Sequence, residues 1–339
     1  MHRCLTLAKK GVGSVAPNPM VGAVLVYNNR IIGEGYHQQY GKPHAEPNCI
    51  KSVKEEDKAF ISSSTLYVSL EPCTHFGKTP PCVDLIIQNK IPSVVIGCRD
   101  PFKEVDGKGI EKLIAAGINV SVGIAEKECR ILNNSFFTFQ LSKQPYVILK
   151  WAQSSNGKIT SAKKERLQIS NNYSNRLVHQ WRSEEAGILV GTNTALLDDP
   201  LLTTRLWNGP SPLRIVLDLN LRLPHTLNLF KDFKTIVFNR YKNEEKENIR
   251  YYQIKDTEYL PKQLLNALFE LEIQSVIVEG GARLLQSFID ADLWNEARII
   301  TNNELEIPEG IAAPTLSTGA ITKEKKIFSD TITYYHNHS

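Results

Sequence analysis

No run of about 18 apolar residues occurs anywhere in the 339 residues, so no membrane-spanning helix is expected. The opening stretch, Met1 to Lys10, lacks an apolar segment followed by a small-residue cleavage site, so no secretory leader is expected and a cytoplasmic setting is. Cysteine is sparse. Six of them (Cys4, Cys49, Cys73, Cys82, Cys98 and Cys129) in a chain this long do not build a disulfide framework, which leaves thiols free for a metal. Charge of one sign is also missing. The net charge of +4 is scattered and forms no basic stripe, which argues against nucleic acid as a partner and leaves Lys and Arg for phosphorylated small molecules. There is no internal repeat, no low-complexity tract and no Gly-x-Gly-x-x-Gly, which excludes repeat architectures and the usual dinucleotide fingerprint.

What remains is a globular composition, long enough for two domains with a core each. In the first half, Val21–Tyr27 and Ile31–His37 flank an Asn-rich turn and predict a β-hairpin. A helix is expected from His44 to Phe60, with Pro47 in its first turn. Strands are expected at Thr65–Leu70, Ser93–Cys98 and Ile118–Val122, and helices at Cys82–Asn89, Gly109–Ala116 and Cys129–Leu141. This alternation predicts a layered α/β domain. Ser142–Pro145 is a polar break, and the boundary is set there: residues 1–143 and 144–339. The second half repeats the α/β pattern, with strands at Tyr146–Gln153, Gly187–Gly191, Arg214–Leu219, Thr235–Asn239 and Ser275–Glu279. Helices are expected at Ser174–Ser183, Leu264–Leu271 and Ala282–Ile289, and Asn243–Asn248 reads as an exposed charged connector.

The informative constellation is His44-Ala45-Glu46, then Glu71-Pro72-Cys73, then Cys82. One imidazole and two thiolates suit zinc and leave a fourth tetrahedral position open. Glu46, two residues from a ligand, is placed to move protons between water, a ring nitrogen and departing ammonia, the arrangement of zinc-dependent nucleobase deaminases. A closed structural zinc site would need a fourth protein ligand, and His75 is near enough in sequence to supply one. Eight residues, Thr74 to Pro81, separate Cys73 from Cys82, and this insert carries His75 and Lys78, which suit a phosphate on the substrate.

Together with Ala16-Pro17-Asn18-Pro19-Met20-Val21-Gly22, Gly35-Tyr36-His37 and the run Leu70 to Cys82, these motifs resemble the bifunctional deaminase/reductase of riboflavin biosynthesis, over nearly the whole chain. The resemblance implies a cytidine-deaminase-like three-layer domain followed by a dihydrofolate-reductase-like domain. It implies zinc and NADPH, and as substrate 2,5-diamino-6-ribosylamino-4(3H)-pyrimidinone 5′-phosphate, which is deaminated and then reduced at C1′ of its ribosyl chain. By the same resemblance Asn18 and His37 line the pyrimidine pocket, His75 and Lys78 hold ribose or phosphate, and Asp100 lies at the pocket edge. A homo-oligomer is also expected.

In the second half, Gly280-Gly281 between a strand and a helix leaves room for a phosphate at the helix N-terminus. The segments Leu149–Lys158 and Gly191–Arg205, the latter read as a strand, a polar turn and an acidic stop, resemble the family's reductase. The resemblance places Ala152, Gln168, Thr194, Asp198 and Gly281 against the cofactor, and Arg182, Leu202, Arg205 and Glu279 against the substrate, with the two arginines as phosphate forks. Hydride transfer to an iminium carbon needs positioning more than acid–base groups, so an unremarkable second half is compatible with a reductase. Departures from the family pattern stand at Asn156, Arg166 and Gln168, the tail after Arg298 is short, and Met1 falls inside an expected first helix. They motivate an alternative: a deaminase whose second domain only binds substrate or orders an assembly. An RNA-binding second half is disfavoured by the mixed charge of residues 240–300.

Overall fold

Apolar and β-branched residues at Gly22–Tyr27 (β1), Arg30–Tyr36 (β2), Thr65–Leu70 (β3), Ser93–Cys98 (β4) and Asn119–Val122 (β5) form one sheet ordered β2-β1-β3-β4-β5. The hairpin β1–β2 and the pair β1–β3 are antiparallel, whereas β3–β4 and β4–β5 are parallel. Helices Ala45–Lys51 (α2), Cys82–Gln88 (α3) and Lys108–Ala115 (α4) bury Ala45, Cys49, Val83, Ile86 and Leu113 with Leu25, Leu66, Val94 and Ile96 of the sheet. Helices His2–Ala8 (α1), Glu126–Leu132 (α5) and Asn134–Ser142 (α6) contribute Leu5, Cys129, Phe136 and Phe137 to separate clusters with Leu70 and Cys98, and Cys4 and Leu7 to one with Val24. The first unit is therefore three layers, helix–sheet–helix. The structure, a computed structural model, describes residues 1–162, 167–232, 234–255 and 259–337. The chain divides into Met1–Lys143 and Gln144–Ser339.

Two expected helices of this unit are broken. The one expected from His44 to Phe60 stops at Lys51 and resumes as 3-10 turns over Glu55–Ser63. Ser52 ends it: its hydroxyl turns back to the Cys49 carbonyl at 2.7 Å and accepts the Glu34 N–H at 2.8 Å, tying the helix end to β2. The one expected over Cys129–Leu141 is interrupted at Asn133, which lies between α5 and α6. The Asn133 amide accepts the Met20 N–H at 2.8 Å and donates to the Met20 carbonyl at 3.0 Å, a strand-like pairing across 113 positions.

The second unit holds Tyr146–Ser154 (β6), Lys158–Ser161 (β7), Asn172–Glu184 (α7), Gly187–Gly191 (β8), Thr192–Asp198 (α8), Leu213–Leu217 (β9) and Thr235–Asn239 (β10). It continues with Glu244–Lys246 (β11), Ile249–Gln253 (β12), Leu260–Glu270 (α9), Ser275–Val278 (β13), Ala282–Asp290 (α10), Glu296–Asn302 (β14), Gly310–Ala312 (β15), Ala320–Ile327 (β16) and Asp330–His336 (β17). Ten strands make one sheet, β11-β12-β10-β9-β8-β13-β6-β14-β17-β16, parallel from β12 through β14 and antiparallel at both ends. Central strands read as continuous apolar runs because both faces are covered: Leu149, Leu189 and Val278 on one side, Ile148, Val190 and Ile277 on the other. Two expectations fail here, and a hairpin stands where no element was expected. Asn243–Asn248 contains an edge strand, β11, whose exposure hides the usual apolar alternation. The supposed polar turn after Gly191 is the helix α8, which buries only Ala195 and so carries little apolar period. The tail after Arg298 adds a lysine-rich hairpin, β16–β17, to the sheet. Arg166 lies outside the described residues.

Candidate functional sites

The parallel end of β3 and two helix starts converge in the first unit. His44 is the residue before α2, with extended backbone, and Cys82 opens α3 after Pro81. Cys73 follows β3 by three residues. His44 Nδ1 lies 3.6 Å from Cys73 Sγ and 3.4 Å from Cys82 Sγ, and the ligand atoms of all three residues fall within 4.8 Å of one another. Zinc bonds of about 2.3 Å to sulfur and about 2.0 Å to nitrogen at a tetrahedral angle set S···N edges of about 3.6 Å, so the set fits the ion. Among the described residues no fourth side chain joins it. His75 stands apart, edge-on to Phe102 at 5.7 Å between centroids, with Nδ1 buried and unpartnered. Cys73 is the thiolate of the pair: hydrogen bonds from Cys82 and His44 pull its pKa down to about 4 against its burial, and Cys82 is pushed up correspondingly. Glu46, in the first turn of α2 and 3% exposed, has its carboxyl pKa raised by burial and by Cys73.

Asn18 and His37 meet next to these ligands. Asn18 Nδ2 lies 3.1 Å from His37 Nε2, and His37 Nδ1 lies 3.1 Å from the Pro43 carbonyl. A carbonyl only accepts, so Nδ1 carries the proton, Nε2 accepts from the amide, and the Asn18 carbonyl oxygen points away from His37. The His37 and His44 rings are 5.1 Å apart. Lys78 is exposed and lays its ammonium 4.0 Å over the Tyr40 ring. Asp100 is buried, accepts the Phe102 N–H at 2.8 Å, and has a pKa raised by burial to about 7.

Glu71 carries a role that the sequence reading missed. Its buried carboxylate accepts the backbone N–H groups of Gly107 (3.0 Å), Gly109 (2.9 Å), Asp100 (3.2 Å) and Ile110 (3.3 Å). It thereby ties the end of β3 to the positive start of α4 and fixes the backbone that presents Cys73. A Cβ at Gly109 would run into the Pro72 carbonyl.

The second constellation lies at the carboxyl ends of the parallel strands, where open α/β sheets bind ligands. The register Leu149↔Val278 between β6 and β13 puts Lys150 beside Glu279. Glu279 takes Arg182 from α7 as a bidentate pair, 2.8 Å to Nε and 2.8 Å to Nη2, and Lys150 Nζ at 3.4 Å. The Glu279 pKa falls to about 2 because the charges of Arg182 and Lys150 outweigh its burial. Arg182 is thus a buried partner of Glu279, and its Nε and Nη2 are not presented as an open fork for phosphate. Lys150, which interrupts the apolar run of β6, joins this buried cluster as a neighbour recognisable only once the register is known.

Thr194, from α8, packs on the glycine turn: a Cβ at Gly280 would meet Thr194 Cγ2 at 2.8 Å. Gly280 and Gly281 have φ of 134° and 77°, and Gly281 precedes α10, whose free N–H groups suit a phosphate. The residues therefore fit the pyrophosphate of a dinucleotide. Leu202 is 2% exposed with φ of 54°. Ala152 is on β6 and Asp198 ends α8. Gln168 is exposed, its amide donated to Asn172 at 3.1 Å and to the Ser170 carbonyl.

Residues 1–98 match the family described as cytidine and deoxycytidylate deaminase zinc-binding region, and residues 145–302 match the RibD C-terminal domain. The riboflavin biosynthesis protein RibD of Aquifex aeolicus is 39% identical over 333 residues, 96% of this chain and 92% of that one. A crystal structure of a diaminohydroxyphosphoribosylaminopyrimidine deaminase/5-amino-6-(5-phosphoribosylamino)uracil reductase from Thermotoga maritima is 34% identical, with a TM-score of 0.90 over 99% of this chain and 97% of that one. RibD of Acinetobacter baumannii gives the same TM-score at 29% identity, covering 100% and 98% of the two chains.

Proposed function

Because the chain belongs to the RibD family of bifunctional riboflavin-biosynthesis proteins, we propose residue roles for its two reactions. It is a zinc-dependent deaminase joined to an NADPH-dependent reductase, acting on a phosphorylated pyrimidine. The substrate is 2,5-diamino-6-ribosylamino-4(3H)-pyrimidinone 5′-phosphate, and residues 1–143 and 144–339 perform the two steps in that order. The single observation that carries the deaminase assignment is the cluster of His44, Cys73 and Cys82 with Glu46 in the adjoining helical turn.

His44, Cys73 and Cys82 would hold the zinc, which would supply Lewis acidity toward a water. Glu46 takes one proton of the attacking water and passes it to the ring nitrogen as the C–O bond forms, then carries the remaining hydroxyl proton to the amino group, which leaves as ammonia when the C–N bond breaks. Asn18, its amide oriented by His37, faces the pyrimidine with its carbonyl oxygen. His75 and Lys78 receive the ribose phosphate, and Asp100 bounds the pocket.

In the reductase, NADPH when bound would supply a hydride for C1′ of the protonated open-chain imine. Gly281 and the start of α10 hold its phosphates, Thr194 packs under the turn, and Ala152, Gln168 and Asp198 complete the contacts. Lys150, Glu279 and Arg182 form a buried charged floor beneath the ribosyl chain, and Leu202 and Arg205 close it on the phosphate side. The alternative of a silent second domain lacks support, since the paired Glu279 and the glycine cradle are both in place. The protein works in the cytoplasm as a homo-oligomer, without nucleic acid or membrane as partner.

The decisive experiment incubates the protein with the diaminopyrimidine substrate, with and without NADPH, and follows ammonia and NADPH together. Ammonia alone without NADPH, and stoichiometric NADPH loss when it is added, are expected. Ammonia without NADPH consumption would reinstate the silent domain, and no ammonia would remove the deaminase.

A further inference from the structure

Building on the reading that Arg205 meets the substrate phosphate, we propose that His179 is a positioning residue of the reductase, its imidazole fixing the main chain of Arg205. His179 lies on α7 one turn before Arg182 and is 1% exposed. Its Nδ1 accepts the Arg205 backbone N–H at 3.1 Å, joining helix to loop across 26 positions. A ring nitrogen that accepts carries no proton, so Nε2 holds it.

The loop needs such anchors. Asp199 and Leu202 hold φ of 37° and 54°, backbone that non-glycine residues keep only where the surroundings impose it. Asp199 is tied to Asn228 by bonds of 2.7 and 2.8 Å, the Thr204 N–H reaches Ser211 Oγ at 3.0 Å, and Arg182 Nη1 reaches the Thr203 carbonyl at 3.4 Å. His179 acts on Arg205 itself. The role demands a neutral ring, since a protonated imidazole has no acceptor. The surroundings enforce that state: burial, then Arg182 and Arg205, push the His179 pKa down to about 4, with only Glu279 and the Thr203 carbonyl opposing.

The test uses the full chain. The KM for the reduction is measured with the deaminated substrate, ribose 5-phosphate is the binding probe, and NADPH affinity is read by tryptophan fluorescence. His179→Leu is expected to raise the KM and the ribose 5-phosphate Kd about tenfold, with kcat and NADPH affinity moved less than threefold. His179→Asn, whose side-chain oxygen stands near the place of Nδ1, is expected to restore the KM to within threefold. An unchanged KM in His179→Leu overturns the inference. So does an Asn variant as damaged as Leu, which would make packing the cause, or NADPH affinity falling in step with KM. Arg205→Ala separates the two layers. If it leaves the KM unchanged, the reading of Arg205 fails and His179 loses its role with it. If it raises the KM while His179→Leu does not, only the inference falls.

Discussion

Glu46 sits at 3% exposure two residues from His44 and outside the His44–Cys73–Cys82 set, and the role proposed for it is proton movement. Glu46→Gln is therefore expected to bind one equivalent of zinc by metal analysis and to lose at least a thousandfold in ammonia release; activity within tenfold of the parent would end the acid–base role. His179 makes a second prediction, on stability. Its pKa is about 4 in the fold and near 6.5 in a free chain. Between those values the unfolded chain binds the proton first, so this residue's contribution is intact above pH 6.5 and is lost as pH falls toward 4. The loss is on the order of 3 kcal/mol. Urea unfolding followed by tryptophan fluorescence is expected to show a smaller loss across that window in His179→Asn. These two residues also differ in legibility. Glu46 announces itself through its neighbours His44 and, 27 positions on, Cys73. A lone histidine in a helix carries no such signal, because its partner is a main-chain group brought up by tertiary folding.

At the scale of elements, the Glu71 link between β3 and α4 is what presents Cys73. Replacing it by Gln removes a charge from several backbone donors, and a loss of about 3 kcal/mol is expected in denaturant unfolding of the first unit. Gly109→Ala acts on the same joint from the other side, since its methyl displaces the Pro72 carbonyl; weaker zinc binding in a competition titration is the expected outcome, and an unchanged affinity would show that the joint yields freely. The strands Thr65–Leu70, Ser93–Cys98, Gly187–Gly191 and Thr235–Asn239 were readable in full, because buried parallel strands are continuous apolar runs between polar breaks. Helix interruptions at Ser52 and Asn133 were not. Both depend on a side chain finding a backbone group 18 or 113 positions away, which local periodicity does not encode. The edge strand β11 and the exposed β16 escaped for the opposite reason, having no buried face to write a pattern. Lys150 escaped as the helix interruptions did, through a distant partner, since only the β6–β13 register makes it a neighbour of Glu279.

At the scale of the whole molecule, each unit has hydrophobic clusters of its own. All four tryptophans, Trp151, Trp181, Trp207 and Trp294, belong to the second. Their fluorescence thus reports on the reductase. NADPH at a hundred times its Kd is expected to stabilise the tryptophan-reported transition by about 2.7 kcal/mol. Stripping zinc with a chelator is expected to abolish ammonia release while leaving that transition in place. A tryptophan signal lost on chelation would mean that the metal supports both halves.

All six cysteines are buried, with Cys73, at 9%, the nearest to solvent. Cys4 and Cys49 are held in the protonated form by burial, at pKa values of about 12 and beyond. A colorimetric thiol reagent added to folded, metal-loaded protein should accordingly find almost nothing to react with. After chelation the low-pKa sulfur of Cys73, which is also the least buried, becomes the first to be consumed. Counting reactive thiols therefore gauges how many molecules in a preparation carry their metal, with no substrate needed.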